Sequence, residues 1–588
     1  MDNQQIANVF GEIGDLLEVD GANHFRVLAY QNAAENIRGL GREIRDIYRE
    51  NPEDLENLPG IGEDLRLKIE EMLKTGVCQF HLKLLKKYGR GVLDLLQIRG
   101  IGPKKVSLFY HQLGIDNLEK LKAAALAHQL QELPRMGEKS ENEILVAIEE
   151  HAKHSYRMLL SEALPLAEQI VAHIRKLPAV ALVEYAGSLR RRKETVGDLD
   201  ILAAPRKSAD AEKIIAHFQK FPLIKNIIAS GPTKCSVILE SGTQADLRVV
   251  EKKSFGAAWH YFTGSKDHNV EIRTIAQKAN MKINEYGIFE LVRKNGKGPV
   301  SEKFIVGDSE ENFYRAVGLS YIPPTLRETR GEFTAAINGE LPKLVELEDL
   351  QGDLNVNSRT AEGQNSLAEI ARAAADRRLA YFAIADTFAS SEVPSRFGEK
   401  ELQEQLLEID KLSKKFPGLR IFKSVKLSIG TDGTLDLPQA KLLDRLDFII
   451  VKINHNFNLT EPRQTARVLQ ALSFHPRVKM LSCPNARLLN QREAIAVNMG
   501  KIIGHCAKTK QILEINSQPD RLDLADFQIK LAVEKGAPLA VNSDLKDIAQ
   551  FDFLKYGIWT AQRGWAEKKN IVNAQPPDKL QKYFYSIS

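Results

Sequence analysis

The chain has 588 residues, 43% hydrophobic and 27% charged, with a formal net charge of +5. That length excludes a single core and implies three to five domains. The composition is that of a soluble globular protein, and no apolar run reaches the length of a membrane span. Cys78, Cys235, Cys483 and Cys506 are scattered and form no C-x-x-C pair, which excludes a disulfide framework and suits a reducing compartment. The first residues, MDNQQIANVF, carry no basic stretch followed by an apolar core, so the sequence reads as cytoplasmic. The mild basic excess permits nucleic-acid binding, for which local patches matter more than the total.

The first hundred residues show helical periodicity with short breaks. NLPGIGEDLRLKIEEML around Gly60 and Gly62, and QIRGIGPKKVSLFY around Gly100 and Gly102, repeat one pattern: an apolar residue, a Gly-x-Gly turn, then an amphipathic helix. This is a helix-hairpin-helix pattern, in which glycines let backbone N–H groups approach a phosphate without reading bases. A weaker third copy, LPRMGEKSENEI, surrounds Gly137. A single match would equally suit an ordinary helix–helix turn, but two close copies favour sequence-independent binding of a nucleic-acid backbone.

YAGSLRRRKETVGDLDIL (Tyr185–Leu202) reads as a loop opening a helix at Gly187-Ser188, a cationic turn from Arg190 to Lys193, then a strand carrying Asp198 and Asp200. Residues two apart on a strand share a face, so the two carboxylates point together while Leu199 and Ile201 turn inward. Asp246, in TQADLRVV, sits on another expected strand and supplies a third carboxylate. Hard cations such as magnesium take such oxygen ligands, and two of them stabilise both the attacking and the leaving oxygen of an in-line displacement. The Gly-Ser turn offers N–H groups and a hydroxyl to a triphosphate. A lone D-x-D is more often a solvated strand edge; Gly-Ser, about ten residues, Gly197-Asp-x-Asp and a later Asp together signal nucleotidyl transfer. Beyond residue 320, YIPPTLRETRGEF reads as a linker. After it, short apolar strands such as AYFAIAD, LRIFKSV and DFIIVKI alternate with helical stretches, which suggests a β/α barrel.

With these motifs the chain resembles the family-X DNA polymerases, in the bacterial form that carries a C-terminal polymerase-and-histidinol-phosphatase (PHP) domain. The resemblance implies α-helical hairpin domains, an α+β nucleotidyltransferase palm and a C-terminal β/α barrel. The expected segments are 1–90 (lyase-like, first hairpin), 91–150 (second hairpin), 151–255 (palm), 256–328 (nucleotide selection), 329–346 (linker) and 347–588 (degenerate PHP barrel). It implies that Asp198, Asp200 and Asp246 hold two Mg2+ ions, Mn2+ being an alternative, and that Ser188, Arg191 and the more distant Arg157 hold the triphosphate. In WHYFTGSKDHNVEIR, Tyr261, Phe262 and Gly264 would line the sugar pocket, Asn269 the base and Arg273 the template. Lys266 stands where animal relatives have an acid. Arg26 and Tyr30 match holders of a 5′-phosphate, and Lys68 the Schiff-base lysine of lyase-active members, although Asp64 replaces a phosphate-binding lysine. Such a lysine must be partly neutral. With the hairpin glycines, Lys104 and Arg273 complete the DNA contacts.

In the C-terminal region DLQGDL, TDGTLDLP, LEINSQPDRLDL and AQRGW match the family's framework, but the metal-ligand words are altered. Asn355 and Asn357 stand for an H-x-H, Thr387 follows Asp386 where a histidine is expected, and Lys426 replaces a glutamate. Asn454 and Cys483 replace histidines, and Lys546 the last one, after Asp544. Only Glu362, Asp386, Asp544 and Cys483 retain ligand chemistry, and the lysines are expected to pair with Asp386, Asp544 or Glu362. His455, His475 and His505 fall on no matched ligand position.

The reading is a template-directed, gap-filling DNA polymerase of base excision repair, acting on gapped or primed DNA with dNTPs, its barrel without nuclease activity and available to repair-protein partners. Two alternatives stay open: a template-independent nucleotidyltransferase and a non-enzymatic DNA-binding scaffold.

Overall fold

The computed structural model describes residues 3–586 apart from 39, 41–43, 97, 99, 135, 156 and 294–299. The chain forms two compact units, 1–156 and 157–588. The first is helical throughout its described residues, around one core that includes Phe10, Tyr30, Ile69, Tyr88 and Phe109. Its two hairpins repeat one geometry. Gly60 (φ 76°) and Gly100 (φ 82°) take the left-handed conformation, and Ile61 and Ile101 close matching turns onto Leu58 and Ile98. Gly62 (φ −95°) and Gly102 (φ −95°) then cap helices Glu63–Thr75 and Pro103–Leu113. Only a residue without a Cβ adopts the positive φ of that turn at little cost. A third helix, Glu138–Ser155, begins directly after Gly137.

The second unit opens with a five-stranded sheet ordered Val180–Tyr185, Asp198–Pro205, Gln244–Val249, Lys234–Leu239, Ile224–Ser230. The strands bearing Asp198 and Asp246 run parallel; the other pairings are antiparallel. Leu199 and Ile201 are buried, as the alternation requires. Helices Phe255–Thr263 and Lys266–Lys278 follow, then a three-stranded antiparallel sheet starting at Met281. Residues 329–346, expected as a linker, carry helix Glu332–Asn338, whose Phe333 and Ala336 join the core of that region. Buried Glu332 accepts from His268, so the segment packs as part of the domain before it.

From Gly352 to Asn542 seven parallel strands alternate with helices in sequential order. Val356 bridges to Leu545 beyond the last strand, which brings the sheet close to closure as a β/α barrel. The strands are buried on both faces, which is why they read as continuous apolar runs. Leu522 and Tyr556 of this region belong to the palm's core, so sheet and barrel share packed surface.

Candidate active site

Asp198 and Asp200 lie two apart at the start of one strand, and Asp200 is the register partner of Asp246 on the neighbouring parallel strand. The three carboxylates therefore face the same side of the sheet, across strands ~4.8 Å apart. Burial and the charges of Asp198 and Asp246 push Asp200 up to about 7, against the pull of Arg248 and Arg191. No cation forms an ion pair with any of the three among the described residues; Gln244 Nε2 donates to Asp246 at 3.2 Å. Nor is any group of three His, Cys, Asp or Glu side chains drawn into a ready metal shell among those residues. The fit to a divalent cation rests on charge and donor type: crowded hard oxygens whose repulsion a cation would relieve.

Gly187 opens a short helical turn, Gly187–Arg190, with φ 62°. A Cβ there would strike the Asp200 carboxylate, so glycine is what lets the turn lie against the triad. Ser188 Oγ is buried without a hydrogen-bond partner in the protein, a hydroxyl poised for a ligand. The turn, Asp198 and Asp200 border a cleft of about 490 Å³, while Asp246, on the neighbouring strand, is not among the described residues that line it. Arg157, Gly187, Ser188, Arg191, Asp198 and Asp200 line one part of it, and Tyr261, Phe262, Gly264, Asn269 and Arg273 another. Gly197 lies beside it, close to Arg157 Nη1. Asn269 is fixed by its Nδ2 donating to the Tyr261 carbonyl at 2.7 Å, while its buried Oδ1 has no partner. Arg273 Nε donates to the Asn269 carbonyl at 2.9 Å.

The cationic turn does not face the cleft as a block. Arg190 turns inward, pairing with Glu310 at 2.6 Å and stacking 3.3 Å from the Trp259 ring centroid. Arg327, also buried, pairs with the same Glu310 at 2.6 Å. Arg192 lies over Trp559 at 4.1 Å. Arg191 and Lys193 line the cleft, joined by Thr263 and Lys266. Glu310 and Arg327 had no local sequence signal; they are known only by their partners.

In the first unit, Arg26 sits 5.0 Å and Lys68 5.6 Å from the Phe80 ring centroid, and Tyr30 stacks on the same ring. The phosphate and lyase candidates thus converge on Phe80, which the sequence reading missed. Burial lowers the pKa of Lys68, but its bond to Asp64 and the nearby Tyr30 outweigh that and leave it raised. Lys104 is exposed in the first turn after Gly102.

At the barrel mouth Asn355, Asn357, Lys426 and Cys483 are buried within one polar network, whereas Lys546 is exposed and Asn454 half-buried. Lys426 Nζ donates to Asp544 at 2.8 Å and to Asn357 Oδ1 at 3.1 Å; Lys452 stands 3.5 Å from Asp544. Burial would raise the pKa of Asp544, but Lys426 and Lys452 hold it well below the usual carboxylate range. Asn355 donates to Glu514 at 2.7 Å, and burial pushes the Cys483 thiol up to about 12. Lys546 pairs with Glu362 at 3.2 Å. Asp386 takes no lysine; it accepts from Ser358 and Gln405 instead. Asn454 donates to Ser428 at 2.8 Å. The three histidines bond elsewhere: His455 to Glu392, His475 to the Arg477 N–H and His505 to Gln511.

Among the described residues no helix is long and apolar enough to cross a membrane. Three family models match: a helix-hairpin-helix domain over residues 1–78, a SAM-like helix-hairpin-helix tandem over 92–150 and the DNA polymerase beta thumb over 258–328. DNA polymerase lambda of Rattus norvegicus is 24% identical over 52% of each chain. DNA-directed DNA/RNA polymerase mu of Homo sapiens is 23% identical over 51% of this chain and 64% of its own. The DNA polymerase/3′-5′ exonuclease PolX of Bacillus subtilis (strain 168) is 34% identical over 98% of both chains. A carboxylate triad beside a Gly-Ser turn, paired hairpins ahead of it, a barrel behind it and this end-to-end likeness place the chain among the bacterial family-X DNA polymerases that carry a C-terminal PHP domain.

Proposed function

We propose that the chain is a template-directed, gap-filling DNA polymerase of base excision repair that works with two Mg2+ ions. The observation that carries the reading is the convergence of Asp198, Asp200, Ser188, Arg157 and Arg191 on one cleft with Tyr261, Phe262 and Asn269 across it. In this reading Asp198, Asp200 and Asp246 hold the cations. Bound there, they would lower the pKa of the primer 3′-hydroxyl and offset charge on the leaving pyrophosphate. Ser188, Arg191 and Arg157 orient the triphosphate with fixed donors, which act most strongly where charge develops. Tyr261, Phe262 and the Gly264 backbone exclude a 2′-hydroxyl. Asn269 and Arg273 meet the minor-groove side of the nascent pair, where acceptors are alike in all base pairs, so they test pair shape. The hairpins hold duplex through phosphates, and Arg26 with Tyr30 holds the 5′-phosphate of a gap. Lys68 is a cation contact in this scheme, since its pairing with Asp64 favours the charged form over the free amine a lyase needs.

The Bacillus subtilis relative carries 3′-5′ exonuclease in its name. For this chain we propose the opposite: two lysines at Asp544 and asparagines at 355 and 357 leave the barrel a phosphoesterase fold without its metal cluster. An ammonium beside a divalent ion is strongly repulsive. The test is extension of a primer in a gapped duplex, with and without a template base opposite the gap, beside a 3′-exonuclease assay in manganese. Template-dependent extension without cleavage is expected; extension indifferent to template would favour a terminal transferase, and metal-dependent cleavage would overturn the proposal for the barrel.

A further inference from the structure

The loop between the Gly-Ser turn and the Asp198 strand is held by residues that lie some 300 positions later in the chain. Arg563, buried at the end of helix Leu554–Arg563, donates from Nη1 to the Arg191 carbonyl at 2.7 Å and to Glu328 at 3.0 Å. Its Nη2 donates to Asp526 at 2.5 Å. Trp559, one turn earlier, carries the Arg192 guanidinium on its ring. Arg487 grips Glu194 with two hydrogen bonds, at 3.1 and 2.7 Å. Asn490 donates to the carbonyl of Arg157 at 2.6 Å. Every one of these anchors comes from the barrel region, and the residues they hold are the triphosphate candidates Arg157 and Arg191 and the turn beside them.

Glu328 links the anchors to the Arg191 side chain. Arg191 Nε donates to the same Glu328 oxygen as Arg563, at 3.0 Å, and Lys193 stands 4.0 Å from the other oxygen. Burial works against ionisation of Glu328, yet Arg563, Arg191 and Lys193 hold its pKa at about 2, so it remains a carboxylate. Arg191 Nη1 donates to the Thr263 carbonyl. The guanidinium is therefore fastened at two of its nitrogens, Nε and Nη1, and Nη2 has no protein partner among the described residues. Arg191 lines the cleft with that end still able to donate.

We propose that the C-terminal barrel is a working part of the nucleotide site, with Arg563 as a positioning residue: it fixes the Arg191 backbone directly and the Arg191 guanidinium through Glu328, so that Nη2 is aimed at the incoming triphosphate before the nucleotide arrives. An arginine left free would lose its rotamer freedom on binding, whereas one already held gives the same contacts at lower entropic cost. The inference rests on the reading of Arg191 as a triphosphate ligand. It gives the barrel a task independent of its altered metal positions.

The experiment uses the full-length protein on a single-nucleotide gap and reads KM for dNTP, kcat, affinity for the gapped DNA and the thermal midpoint. Arg191→Ala tests the underlying reading and should raise KM by about tenfold or more. Arg563→Lys keeps the buried charge beside Asp526 and Glu328, but one ammonium cannot reproduce the fork that spans both carboxylates and the Arg191 carbonyl. It should raise KM about five- to tenfold, leaving kcat within about twofold and DNA affinity unchanged. The double variant should be no worse than Arg191→Ala alone, because both changes break one device. Unchanged KM in Arg563→Lys while Arg191→Ala raises it, effects that multiply, or a parallel loss of kcat and DNA affinity would each overturn the proposal and leave Arg191 in its role. Unchanged KM in Arg191→Ala would remove the reading beneath it. Should Arg563→Lys fail to fold, Arg487→Gln, which spares the buried cations, is expected to raise KM about threefold; no rise there would equally overturn the proposal.

Discussion

In the palm, Asp198, Asp200 and Asp246 crowd one face of two parallel strands with no cation paired to them among the described residues. At the barrel mouth, Asp544 stands just beyond a strand end between Lys426 and Lys452. The first cluster carries unbalanced repulsion, which shows in Asp200, pushed up to about 7 by burial and its two acidic neighbours. The second has been neutralised internally, and its aspartate lies well below the usual range despite full burial. A carboxylate site that needs an external cation and one that has acquired its own differ less in their acids than in the residues around them. In the barrel, Lys426 and Lys452 supply the countercharge from within the chain.

The comparison is sharpest in the rate of synthesis. Asp246→Asn should lower extension by about a hundredfold to a thousandfold while sparing affinity for gapped DNA, since it removes charge stabilisation made in the transition state. Extension near the wild-type rate would break the assignment of the triad. Stability should respond with opposite signs in the two regions. Lys426→Met leaves Asp544 buried with a single ammonium at 3.5 Å and should cost about 3 kcal/mol in denaturant unfolding. Asp246→Asn relieves like charges directly opposite one another and should stabilise the metal-free protein by up to about 1 kcal/mol.

The barrel pair also sets a pH dependence. Asp544 has a depressed folded pKa, so its contribution is complete above the unfolded value near ~3.9, declines as pH falls below it and is lost only as pH passes through the lower folded value. Stabilities of the wild type and Lys426→Met should therefore converge as pH falls below about 4; a gap that does not narrow toward acid would show that the lysine acts through packing. Added Mg2+ should raise the thermal midpoint by a few degrees through the palm alone, and the rise should vanish in an Asp198→Asn, Asp246→Asn double variant. A rise surviving there would place metal in the barrel. The smallest effect lies in the first unit: Arg26→Ala should weaken the preference for a 5′-phosphorylated gap and reduce the salt slope of DNA binding by about 1.

Much of this was legible in the sequence where the signal is local. Paired Gly-x-Gly turns, the D-x-D after Gly-Ser, and Tyr261 to Arg273 are short words whose geometry follows from the backbone, and the structure gathers the last two around one cleft. The apolar runs of the barrel announced strands buried on both faces. What was not legible is which way a charged side chain turns when its partner is distant. Arg190 sits in the same cationic run as Arg191, but Glu310, 120 residues on, draws it into the core. Lys426 and Lys546 found two of their three expected acids, Asp544 and Glu362, while Asp386 is occupied by Ser358 and Gln405. Lys452 and Glu514 matched no ligand word, and only the closure of the sheet brings them to the mouth. Residues 329–346 looked like a linker because Pro-Pro and polar residues signal a break, yet Phe333 and buried Glu332 anchor a helix there.

Arg563 meets the Arg191 carbonyl across 372 residues of chain. On a ribosome adding about 5–20 residues per second, roughly 20 to 75 s separate the synthesis of the two ends of that contact. For most of that interval the palm strands are complete in sequence while the loop beside their carboxylates awaits its anchors. Nascent chains and products of premature termination would then present a palm with slack affinity for nucleotide. With Arg191 positioned by the barrel as proposed, the order of translation leaves dNTP binding several-fold weaker until the last helices are in place, and so favours extension of DNA ends by the whole molecule.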